Sequence, residues 1–125
     1  MKLKSLMIIK ALVCLGMGVP ILAVPIFFYS LFGIKIDAAG ALVGREYGAA
    51  LIGNLLVTWF ARNAVDSDAR RAIILGLCIY DLIGFIFFLI AQLTGMMNPL
   101  GWLAVVIYLF FAVGFGYFYF KNPKP

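Results

Sequence analysis

Histidine is absent from this sequence, and charge is scarce: Asp, Glu, Lys and Arg make up only 12% of 125 residues. Without histidine the chain lacks the usual axial ligand of a b-type haem and the commonest ligand for zinc, copper or non-haem iron. Two cysteines, Cys14 and Cys78, stand apart inside apolar runs, so they form neither a disulfide framework nor a CxxC redox pair. A P-loop, a dinucleotide fingerprint and a nucleophile elbow are all missing. These gaps point away from an enzyme and call for no cofactor and no metal. Nor is there a polar stretch long enough to build a soluble domain.

Hydrophobic residues fill the space, at 66% of the chain. A membrane span needs about 20 apolar residues, and four such runs occupy nearly everything: 11–32, 40–61, 72–93 and 100–120. The expected fold is therefore all-α, a single integral membrane four-helix bundle with up-down-up-down connections. Net charge is +5, but the basic residues flank the runs, where they orient a protein and meet anionic lipid, so they are no nucleic-acid footprint. Lys2, Lys4, Lys10, Arg62, Arg70, Arg71, Lys121 and Lys124 fall on one side; Lys35 and Arg45 fall on the other. That asymmetry places both termini in the cytoplasm.

Along the chain, Met1 to Lys10 reads as a short amphipathic lead with Lys2, Lys4 and Lys10. The first span carries Pro20 and Pro25, which remove backbone donors and should kink it between Gly16 and Pro25. Asp37 is positioned to cap the second span, Asp66 or Ser67 the third, and Asn98-Pro99 starts the fourth. Trp59, Trp102, Tyr117 and Tyr119 mark the interfaces. Pro123 and Pro125 end the chain with Lys124.

The second span departs most from lipid-soluble sequence. Gly40, Gly44 and Gly48 recur every four residues and share a face, with Gly53 further on; such spacing lets another helix approach closely. Arg45 and Glu46 are neighbours in sequence, and residues at i and i+1 do not face each other on a helix. Tyr47, Leu51, Asn54 and Thr58 form a mildly polar seam suited to hydrogen bonds between helices.

In the third span Asp81 stands near the middle, on a stripe with Arg70 and Gln92. An ionisable side chain at that depth is expensive and faces a bundle interior or water. Counting the rise of each helix from its cytoplasmic end puts Asn54 at a similar depth. An Asp81–Asn54 hydrogen bond is thus the preferred pairing, with Arg45 as the alternative partner. Arg45, Glu46, Asn54 and Asp81 together are the candidate intramembrane polar site.

Through REYGAALIGNLLVTWFARN and DSDARRAIILGLCIYDLIGF the chain resembles small four-helix bacterial inner-membrane proteins, and is loosely similar to the DoxX-like group in size and in an Arg followed by a glycine-rich second span. The resemblance implies fold and compartment and supplies no site residue. Two functions fit: a structural or accessory subunit packed against itself or against other membrane subunits, and a small oligomeric transporter or channel working through Asp81. The lipid bilayer is the expected environment in either case.

Overall fold

The computed structural model describes residues 1–121; Pro123, Lys124 and Pro125 of the expected tail lie outside the described residues. The described chain is all-helical, with five helices and no strand: α1 (Leu3–Ala23), α2 (Pro25–Ser30), α3 (Ala38–Ala61), α4 (Asp68–Leu93) and α5 (Gly101–Lys121). Three of them, α1, α4 and α5, are long and apolar enough to cross a membrane. The second expected span, α3, has the length, with 24 residues, but Arg45, Glu46 and Asn54 reduce its apolar character.

The first expected span is two helices. Pro25 has no N–H and its ring collides with the preceding turn, so α1 stops at Ala23. Val24 takes a non-helical conformation (φ −139°, ψ 63°), its N–H bonds to the Pro20 carbonyl, and Pro25 opens α2 at a position where its missing donor costs nothing. At its other end, α1 begins at Leu3, well before the apolar run, so Lys10 lies inside the helix rather than in a lead ahead of it.

Capping sets the remaining boundaries. The Asp37 carboxylate accepts from Gly40 N–H, and the Ser67 hydroxyl accepts from Arg70 N–H, with Asp68 adding negative charge in the first turn of α4. Gly33 (φ +78°) and Gly95 (φ +79°) make the turns that end α2 and α4, in a backbone region that disfavours other residues.

The helices form two antiparallel hairpins, α1–α3 and α4–α5. In the first, Gly48 faces Ile21 and Leu22 while Gly18 faces Leu51 and Ile52, so each helix offers a glycine where the other is bulky. In the second, Gly84 lies directly under the Tyr108 ring. Between hairpins, a core of Leu6 and Met7 from α1, Ile74 and Leu77 from α4, and Phe111 and Phe115 from α5 closes the end that carries the chain's N-terminus. The opposite end is tied by Asn98, whose N–H bonds to the Phe32 carbonyl and whose side-chain amide donates to the Leu31 carbonyl, both at 2.9 Å.

Candidate functional site

The most polar point inside the bundle is a side-chain contact reaching from α1 to α4. Lys10 Nζ donates to Asp81 Oδ1 at 2.5 Å, with Lys10 3% exposed and Asp81 fully buried. Lys10 reaches this place because it follows Leu6 and Met7 and precedes Ala11 and Cys14 on the buried face of a helix that is already formed at Leu3. Asp81 sits midway along α4, on a face shared with Ile74 and Leu77.

Aromatic rings surround the ammonium. Its Nζ lies 4.8 Å from the centre of the Phe111 ring, 5.0 Å from Tyr80 and 5.9 Å from Tyr108. The negative ring faces therefore complement the cation on the sides Asp81 does not cover. Beyond them the Tyr47 and Tyr108 hydroxyls hydrogen-bond to each other, joining α3 to α5. Tyr108 also stacks on Phe88, with centroids 5.1 Å apart. Two buried atoms at this site, Asp81 Oδ2 and the Tyr80 hydroxyl, have no direct hydrogen-bond partner among the described residues.

Two charges taken out of water and set against each other gain strongly from Coulomb attraction, but only enough to offset their desolvation when the geometry is good. Here the contact is short, three rings add cation–π attraction, and the pair bridges the two hairpins. This is the chemistry of a clamp. A groove of about 300 Å³ opens beside it, lined by Tyr47, Tyr80, Ile83, Gly84, Phe87 and Tyr108 among others. A second, of about 280 Å³, lies between α1 and α5, lined by Met17, Phe28, Leu103, Ala104 and Ile107 among others. Both have largely apolar walls.

The four residues expected to make one polar site are not together. Asp81 pairs with Lys10, not with Asn54 or Arg45. Asn54 turns back on its own helix, donating its side-chain amide to the Ala50 carbonyl at 2.9 Å. Fully buried Thr58 does likewise, to the Asn54 carbonyl at 2.8 Å, so of the polar seam on α3 only Tyr47 bonds to another helix. Equal depth placed Asn54 beside Asp81 in the sequence reading; the structure puts the facing aromatic rings and Lys10 there instead.

Arg45 serves the break in the first span. Its Nε donates to the Leu22 carbonyl at 3.2 Å, one of the carbonyls released where α1 ends. Glu46 is exposed and makes no hydrogen bond or ion pair among the described residues. Of the glycines, Gly44 and Gly48 receive α2 and α1: Gly44 faces Pro25 and Tyr29, and Gly48 faces Ile21 and Leu22. Gly40 faces only Ile36 and Asp37, just ahead of its own helix, and Gly53 faces open space. The stripe thus packs within the chain through two of its members.

Lys10 is the residue that sequence reasoning missed. It was assigned to the basic flank because two other lysines precede it. The signal that distinguishes it is its place on a face with Leu6, Cys14 and Ile21, all buried. Comparison with known proteins gives no matching family model, no matching curated protein and no matching solved structure.

Proposed function

We propose that this chain is a four-span membrane protein with both termini in the cytoplasm, acting as a structural or accessory subunit packed against itself or a larger membrane complex. One observation carries the membrane reading: polarity is reversed relative to a protein folded in water. Lys10 and Asp81 are buried, whereas Leu12 and Val19 on α1, Ile83 and Phe87 on α4, and Val106 and Val113 on α5 face outward. Lipid is the solvent that makes such an arrangement stable, since unpaired charge is costly there and apolar side chains are not.

The same observation supports an accessory role. The buried ion pair is spent on holding the hairpins together, and the grooves beside it have largely apolar walls. Around it, cationic residues collect at the end that holds the N-terminus: Arg62 stacks on Trp59 at 3.9 Å, Arg71 on Tyr119 at 4.4 Å, and Arg70 pairs with Asp66 at 3.2 Å. A positive, aromatic-anchored collar of this kind supports reading this end as the cytoplasmic face. The bacterial inner membrane is the compartment that fits, in keeping with the resemblance to small four-helix proteins of that membrane.

Gentle extraction from native membranes, with identification of every companion protein, tests the proposal. A defined assembly is expected. A bare monomer that carries solute flux in proteoliposomes would overturn it.

One observation favours the transport reading as a second possibility: Asp81 Oδ2 and the Tyr80 hydroxyl are buried and unpartnered, the kind of unfilled hydrogen-bonding capacity that a passing proton or cation could use. That reading requires flux that disappears in Asp81→Asn.

A further inference from the structure

Among the described residues, neither charge on α3 has an ion-pair partner. Glu46 is the ninth residue of α3, about 12 Å along its axis from Ala38. A 24-residue helix measures about 36 Å against a hydrocarbon layer of about 30 Å. Centred in that layer, α3 carries the Glu46 carboxylate about 9 Å below the surface, farther than its short stem spans, whereas the longer stems of Lys and Arg are suited to snorkelling. The carboxylate is nonetheless exposed, without an ion pair or hydrogen bond among the described residues. Beside it, Arg45 is exposed too, and its bond from Nε to the Leu22 carbonyl leaves both terminal nitrogens of the guanidinium without a bond among the described residues.

The surface below Glu46 is shaped for a helix. Leu42, Glu46, Ala49, Gly53, Val57 and Phe60 follow one another at three- and four-residue intervals, and all are exposed. A Cβ built on Gly53 meets nothing within 4 Å. The opposite face of α3, with Ala41, Gly44, Gly48 and Leu51, is the one taken by α1 and α2.

We propose that the Leu42–Glu46–Ala49–Gly53 face of α3 binds a second copy of this chain, forming a two-fold dimer in which each copy's Arg45 pairs with the partner's Glu46. The argument is charge complementarity. Two copies oriented alike in one bilayer place their α3 helices parallel, so residue 45 of one lies within about 1.5 Å of the depth of residue 46 of the other. A two-fold axis makes the contact twice, neutralising both carboxylates and both guanidinium groups at a depth where charge is costly. Ala49 and Gly53 permit the close approach. The inference rests on the reading that the chain is membrane-embedded and works by assembly, and it names the partner.

The test is cysteine cross-linking in native membranes, in a Cys14→Ala/Cys78→Ala background. Ala49→Cys and Gly53→Cys should join into a dimer on oxidation, while Val106→Cys and Val113→Cys on α5 should not. A Cβ at position 53 meets nothing within 4 Å, so Gly53→Leu should leave the monomer folded yet reduce cross-linking through Ala49→Cys by about tenfold. Glu46→Gln should also reduce it, because Arg45 loses its ionic partner. Equal cross-linking from α3 and α5, or cross-linking indifferent to Gly53→Leu and Glu46→Gln, overturns the dimer. A purified complex of other membrane proteins with one copy of this chain also overturns the dimer but leaves the accessory role standing. A solitary monomer removes both.

Discussion

Lys10 with Asp81 and Arg45 with Glu46 are treated in opposite ways. Lys10 and Asp81 are 71 positions apart in sequence, meet at 2.5 Å, and are enclosed by three aromatic rings. Arg45 and Glu46 are adjacent in sequence, yet point to different sides of α3 and stay exposed, with Arg45 held only by a backbone carbonyl. Adjacency along the chain therefore does not by itself make a pair. The 100° step between neighbours on a helix separates Arg45 from Glu46, whereas burial of a helix face brings Lys10 to Asp81. The first pair holds the hairpins of one molecule together; the second is left available to another molecule.

The largest effect should come from breaking the inner pair on one side only. Asp81→Ala strands the Lys10 ammonium among rings with no anion, and should cost about 3–5 kcal/mol in unfolding measured by denaturing-detergent titration. Lys10→Ala should cost a similar amount. Replacing both at once, as Lys10→Met with Asp81→Leu, should recover most of that loss, because no unpaired buried charge remains. If the double variant is as unstable as either single one, the clamp is not an ion pair in its energetics.

Glycines sharpen the contrast between inside and outside. Gly84→Leu drives a side chain into the Tyr108 ring and should destabilise by about 1–3 kcal/mol, with loss of the Tyr47–Tyr108 contact. Gly53→Leu, on the outer face of α3, should leave monomer stability within about 0.5 kcal/mol. A smaller effect is expected from Tyr47→Phe, which deletes the hydroxyl pair between α3 and α5 and should cost about 1 kcal/mol in the same titration. The smallest belongs to Glu46→Gln, which should not move monomer unfolding by more than about 0.5 kcal/mol. A large loss there would mean that Glu46 has a partner within its own chain.

Much of this organisation was legible in the sequence. Asp37, Ser67 and Pro25 announce their boundaries because capping and the missing proline donor act locally. Asp81 stands out because a carboxylate in the middle of AIILGLCIYDLIGF has no reason to be there unless it is buried and partnered. Its partner was harder to read. Lys10 closes the run MKLKSLMIIK, and charge near an N-terminus suggests a flank when counted by composition. Only the early start of α1, two turns ahead of the apolar run, turns Lys10 inward. Depth along a helix was computable for Asn54 and Asp81, but rotation and neighbour were not, so a match in depth named the wrong partner. The glycine stripe carried a similar ambiguity. Its spacing announced a close helix contact without saying whose, and Gly44 and Gly48 face Tyr29, Pro25, Ile21 and Leu22 of their own chain.

The most direct measurement is the mass of the intact assembly released from native membranes, with its companions identified. The account predicts a particle holding at least two copies of this 13.8 kDa chain, with Gly53→Leu reducing the copy number while each chain stays folded. A wild-type particle with the mass of one chain and no companion would contradict it.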